Sequence, residues 1–133
     1  MDVEIFTLCD AATVSGGKLN ILGSFDKLNS EVFPFQHPDL AVAVKVRFEG
    51  SESGNHILEV RMIDLDGHPV IPSDPLPLSV STPEGEYSVH MLINRYHGLP
   101  FRRPGEYHLD LVLNGEVKSR IPLLVVAARP GEA

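Results

Sequence analysis

The chain has 133 residues, one cysteine and a net charge of −7, with 43% hydrophobic and 22% charged residues. Its length suits one domain with a core of its own, and its composition excludes a disordered chain. The lone Cys9 excludes an intramolecular disulfide and a cysteine-based zinc cluster. The charge disfavours a broad nucleic-acid or anionic-membrane surface. Met1 to Asp10 lacks the basic-then-apolar order of a signal peptide, and no apolar run approaches the roughly 18 residues of a membrane span. A cytoplasmic protein, with no nucleic acid or membrane as partner, is expected.

Asp2 to Ala12 predicts a strand with apolar residues on both faces, Phe6 and Leu8 on one and Cys9 on the other. Ser15-Gly16-Gly17 turns it into a second strand, Lys18 to Asp26, with Leu19, Ile21 and Phe25 on one face and a bulge or bend at Gly23. Asn29 to Asp39 carries Pro34 and Pro38 and predicts a connector, because proline cannot donate to a ladder. A single-turn helix fits near Pro34 to Asp39 or at Asp74.

Leu40 to Glu49 has the cleanest period of two, with Leu40, Val42, Val44, Val46 and Phe48 inward. Gly50 to Asn55 is a polar turn. His56 to Leu65 follows with Leu58, Val60 and Met62 inward, closed by a turn at Asp66-Gly67. Val70 to Pro77, with three prolines, predicts a blunted edge or loop, and Leu78 to Thr82 a short strand. Glu86 to Asn94 places Tyr87, Val89, Met91 and Ile93 on one face.

The last stretch predicts a hairpin. Tyr107, Leu109, Leu111 and Leu113 alternate with polar residues, Asn114-Gly115 supplies the turn, and Val117, Ile121, Leu123 and Val125 return inward. Tyr107 stands just inside a strand after Pro104-Gly105, the placement of a tyrosine corner in Greek-key sandwiches. The chain therefore predicts an all-β, single immunoglobulin-like antiparallel sandwich of about eight strands over residues 1–128, with a frayed tail over residues 129–133.

The stretch LCDAATVSGGKLNILGSFDKL over residues 8–28, the Asp66-Gly67 turn and the PGEY, NGE and PLLV segments of the final hairpin resemble a family of small bacterial proteins of unknown function. The resemblance spans nearly the whole chain. It implies this size and an all-β fold, and it brings no activity, cofactor or catalytic residue.

Chemistry-bearing motifs are sparse. Asp64-Leu65-Asp66-Gly67 begins like a calcium loop but lacks its later oxygen ligands, so a hairpin turn is the simpler account. None of the six histidines forms a metal motif; His90, His108 and Asp110 would share a site only if their strands were neighbours, and an immunoglobulin-like order, which puts them in different sheets, argues against it. Cys9 predicts a buried thiol.

One segment stands above background. Arg95 to Arg103 holds three of the chain's 11 basic residues, interleaved with Tyr96, His97 and Phe101. It predicts a recognition loop of Arg95, Tyr96, His97, Phe101, Arg102 and Arg103 for a protein partner or small anionic ligand, because arginine forks and aromatic faces are enriched at such surfaces. With no paired acid and base, metal spacing or cofactor loop, the sequence points to a non-enzymatic binding or assembly module. The alternative is a metal-dependent protein using surface histidines. A homodimer is expected through the N-terminal hairpin, with Phe6, Leu8 and Leu22 in contact.

Overall fold

Strands dominate because β-branched and leucine residues recur at every second position between turns. The structure is a computed structural model and describes residues 1–129. Nine strands form: β1 (Asp2–Ser15), β2 (Lys18–Phe25), β3 (Lys27–Ser30), β4 (Phe35–Glu49), β5 (Gly54–Asp64), β6 (Leu76–Val80), β7 (Tyr87–Phe101), β8 (Gly105–Leu113) and β9 (Glu116–Ala127). They build two sheets, of order β2-β1-β4-β7 and β3-β9-β8-β5-β6. The expected tail lies, past Arg129, outside the described residues.

All pairings are antiparallel except β3 with β9, where Lys27 to Ser30 run alongside Leu124 to Ala127. With β4 beside β7 in one sheet and β5, β8 and β9 adjacent in the other, this is the immunoglobulin-like Greek key that the sequence predicts. Leu8, Val42, Val44, Val46 and Phe48 of the first sheet pack against Met62, Leu109, Leu111 and Leu123 of the second. Tyr107 is buried with its ring edge-on to Phe101, 5.2 Å between centroids, and its hydroxyl donates to the Arg103 carbonyl at 2.7 Å. The predicted tyrosine corner is therefore present.

Several local expectations are corrected. Residues 35–39 are strand, not connector: past the Cys9↔Ala41 pair β4 has only β7 beside it, so Pro38 faces no second ladder. Opposite it stands Gly98, with φ +65°, and both strands switch sidedness there. Leu40 and Tyr96 point inward on one side of the switch, while Phe35, Leu99 and Phe101 do so on the other.

Gly23, with φ +68°, makes a bend and not a bulge: the β1–β2 register runs unbroken past it, from Cys9↔Ser24 to Ala11↔Leu22, and a side chain there would meet the Asp10 carboxylate. The bend puts Phe25 on the main core and Leu19 on the opposite face, so these two do not share a side. A bulge between Leu111 and Val112 turns Val117 out to solvent. The single helical turn is a 3-10 turn at Gly50–Glu52 instead of one near Pro34 or Asp74. The Asp66-Gly67 turn leads into an irregular segment with an isolated Ile63–Pro69 bridge, and the edge strand β6 begins at Leu76 instead of Leu78.

Candidate functional site

A large concavity opens at the end of the sandwich that carries the tyrosine corner. It is a cleft of about 770 Å³ between the turn after β5, residues 64–70, and the β7–β8 connection, residues 100–107.

The first wall is built by Asp64. Its Oδ1 accepts from the backbone N–H of Asp66 at 2.9 Å and of His68 at 2.8 Å, and its backbone carbonyl accepts from Gly67 at 3.1 Å. Gly67 takes φ +83°, a conformation that a side chain disfavours. The His68 N–H, aided by the nearby imidazole and the Asp66 N–H, holds the Asp64 carboxyl below its ordinary value of 3.8. His68 Nδ1 lies 3.4 Å from Asp64 Oδ2. Ligand atoms of Asp64, Asp66 and His68 all fall within 4.8 Å of one another.

The second wall follows from the corner. Phe101 is fully buried, Arg102 and Arg103 lie exposed beyond it, and the Tyr107 hydroxyl fixes the backbone at Arg103. Burial pushes the Tyr107 phenol above its ordinary value of 10.0. Arg103 Nη2 reaches across the cleft to Asp66 Oδ2 at 3.5 Å. Glu106 turns to His108 at 3.2 Å. Arg102 makes no hydrogen bond or ion pair with any described residue, so it is the cleft's uncommitted charge. Pro69, Pro100, Pro104, Leu65 and Val70 supply apolar surface between these charges.

The predicted recognition loop is not one loop. Arg95 to Phe101 belong to β7, and only Arg102 to Pro104 connect it to β8. Arg95 donates to the Ala12 carbonyl at 3.0 Å, on the outer face of the first sheet. His97 pairs with Asp39 at 2.8 Å. Tyr96 packs against the core, where burial raises its phenol, and Phe101 is buried. Of the six residues, the structure brings only Arg102 and Arg103 together at the cleft. The sequence reading treated Asp64 and Asp66 as a turn and did not place that turn, with His68, across from the arginines; of the three, Asp66 is the one that pairs with Arg103.

His90 lies on the inner side of β7, edge-on to Phe48, whereas His108 and Asp110 lie on the outer side of the second sheet. Asp110, 3% exposed, is held by Arg120 at 2.6 and 2.9 Å. These three residues do not meet. Cys9 is fully buried and its thiol is pushed up by burial, as expected of a structural cysteine; its side chain lies on the outer side of the first sheet with Ala41 and Ala43. Of the hairpin residues expected in a dimer contact, Leu8 is fully buried and Phe6 packs on the core, which leaves Leu22 exposed. The pairing of β1 with β4 sets the first two opposite the inward Val44 and Val42.

Fold and cleft define a small immunoglobulin-like β-sandwich with an open, mixed-charge end. The chain belongs to a family of unknown function, DUF6941, which matches residues 4–126. No curated protein matches the sequence. Among solved structures, the alkylpurine DNA glycosylase AlkC of Pseudomonas fluorescens, bound to DNA containing an abasic site analog, is similar at 8% identity and a TM-score of 0.56. The match covers 95% of this chain and 30% of that one. A β-glucosidase from Listeria innocua in complex with glucose is similar at 13% identity and a TM-score of 0.52, over 96% of this chain and 16% of that one. The chain thus spans under a third of either protein, and at these identities the likeness is one of fold alone. No described helix is long and apolar enough to cross a membrane.

Proposed function

We propose that the protein is a non-enzymatic binding module whose end cleft holds a ligand bearing an anionic group. The observation that carries this reading is Arg102: an exposed guanidinium with no partner among the described residues, on a wall fixed by the tyrosine corner, beside apolar proline surface. The other charges of the cleft already have partners, so the carboxylate or phosphate of a ligand is what the site lacks. Arg103 can release Asp66, a contact of 3.5 Å between exposed groups, to complete a two-arginine clamp. Prolines at positions 100 and 104 limit the ordering entropy lost on binding.

The test is a titration of ¹⁵N-labelled protein with inorganic phosphate and with a short peptide ending in a free carboxylate. Shifts confined to residues 64–70 and 102–107, abolished by Arg102→Gln, are expected. No shift at millimolar concentrations refutes the reading.

A second reading rests on Asp64, Asp66 and His68, whose ligand atoms lie close enough to share a divalent cation. It places the metal-dependent alternative at this turn and not at His90 and His108. Elemental analysis of untagged protein tests it: stoichiometric zinc, iron, copper or calcium lost in Asp66→Asn supports it, and metal-free protein that takes up none on dialysis refutes it.

A further inference from the structure

The two outer faces of the sandwich differ in kind. On the five-stranded sheet the charges are paired with one another, Glu59 with Arg61, Asp110 with Arg120 and Glu106 with His108. That is an ordinary solvated face.

The four-stranded sheet presents something else. Cys9, Ala41 and Ala43 point outward yet are at most 2% exposed, because neighbouring side chains such as Ile93 and Leu19 close over them. Ile5 and Met91 flank Lys45 along the ladder and are half-buried. Lys45 makes no hydrogen bond or ion pair with any described residue. Arg95 reaches past its ladder neighbour Ala41 to the Ala12 carbonyl and meets no carboxylate. Acids occur at the margins of the face: Asp39 is bonded to His97, Glu4 to Arg47, and Glu49 closes β4. The strand bordering this field, β7, is 15 residues long with no strand on its free side.

We propose that this face docks an acidic, amphipathic segment of a partner protein. The apolar centre with two uncompensated cations, on a chain whose net charge is −7, calls for apolar side chains carried beside carboxylates. A second copy of the chain is the poorer occupant, because it would bring Lys45 and Arg95 against their own like charges. The docked segment covers Met91 and Ile93 and sets its carboxylates against Lys45 and the Arg95 guanidinium.

The probe is a synthetic amphipathic peptide with leucines on one face and glutamates on the other, beside a counterpart with lysines in place of glutamates. In ¹H–¹⁵N spectra of the full chain the glutamate peptide is expected to shift the amides of Ala43, Lys45, Met91 and Ile93. Its affinity should fall about tenfold or more in Lys45→Glu and by less in Lys45→Gln, and should weaken as salt is raised. Melting temperatures of both variants check the fold. The proposal is overturned if the glutamate peptide leaves these amides unmoved at millimolar concentration, if it shifts only the cleft residues 102–107, if the lysine peptide binds as well, or if light scattering shows this face already closed in a homodimer.

Discussion

Replacing Tyr107 with Phe isolates a single atom on which fold and cleft both depend. The phenol is buried and its hydroxyl donates to the Arg103 carbonyl at 2.7 Å, while the ring packs edge-on against Phe101. Phenylalanine keeps the ring and its packing, so the loss is one hydrogen bond plus the desolvation of a carbonyl left at the cleft wall. A net bond contributes about 1 kcal/mol and an orphaned acceptor adds up to about as much, giving a loss of about 1–2 kcal/mol. Tyr107→Ala adds the lost ring and should cost about 3–5 kcal/mol. Equilibrium urea unfolding measures both. With a slope of roughly 1.5 kcal/mol/M, Tyr107→Phe is expected to lower the midpoint by about 1 M with the slope unchanged. A midpoint within about 0.1 M of wild type would mean that water satisfies the Arg103 carbonyl equally well, and the corner would not be what fixes the arginine-bearing wall.

The arginines should separate by role: Arg102→Gln leaves stability within about 0.5 kcal/mol of wild type, whereas Arg95→Gln, which loses the bond to Ala12, lowers it by about 1 kcal/mol in thermal melts. Gly50→Ala is expected to cost about 1–3 kcal/mol, because a methyl group there meets the backbone of Pro83 and Glu84, which cannot swing aside; an unchanged melting temperature would show that this turn yields. The folded-state pKa values of Tyr96 and Tyr107 are raised by burial, so their contribution is fully present below about pH 10 and is lost as pH climbs through the raised values. Urea midpoints followed from pH 9 to 11.5 should fall, and should fall less in the double Phe variant. At the acid end the carboxyls of Glu52 and Glu59 lie below their ordinary 4.5, the first chiefly through the Glu49 N–H and the second chiefly through Arg61. Stability they contribute is present above about pH 4.5 and disappears as pH drops through the depressed values, which Glu59→Gln should blunt in an acid titration.

Most of the architecture was legible because burial on one face writes a period of two into β4, β5 and β8, and because Asn114-Gly115 and Gly16-Gly17 can take the positive φ that tight hairpins need. The errors cluster where the period slips. The positive-φ bend at Gly23 and the extra residue beside Val112 each reverse sidedness, and so misassigned Phe25 and Val117. Pro38 argued against a strand, and only tertiary placement, with no ladder on its far side, makes it tolerable. The cleft was half legible. Arg102 and Arg103 stood out against an acidic chain, but the wall that faces them lies 36 or more positions earlier at Asp66, and nothing local announces that pairing. Arg95 and His97 looked like loop residues because Gly98 and Pro100 resemble punctuation, whereas in the fold they mark a bend within one long strand.

The parallel pairing of β3 with β9 has a kinetic consequence. Four residues near the start, Lys27 to Ser30, leave the first sheet and find their hydrogen-bonding partners at Leu124 to Ala127. That contact spans nearly the full sequence, so its loop-closure entropy falls due when the last strand is in place. A chain still emerging from the ribosome therefore has an N-terminal hairpin whose outgoing strand has nothing to join. The sandwich should close late, in one step that involves both ends of the polypeptide, and a cut in β9 should leave β3 unanchored and β8 as an open edge with no autonomous half-domain behind it.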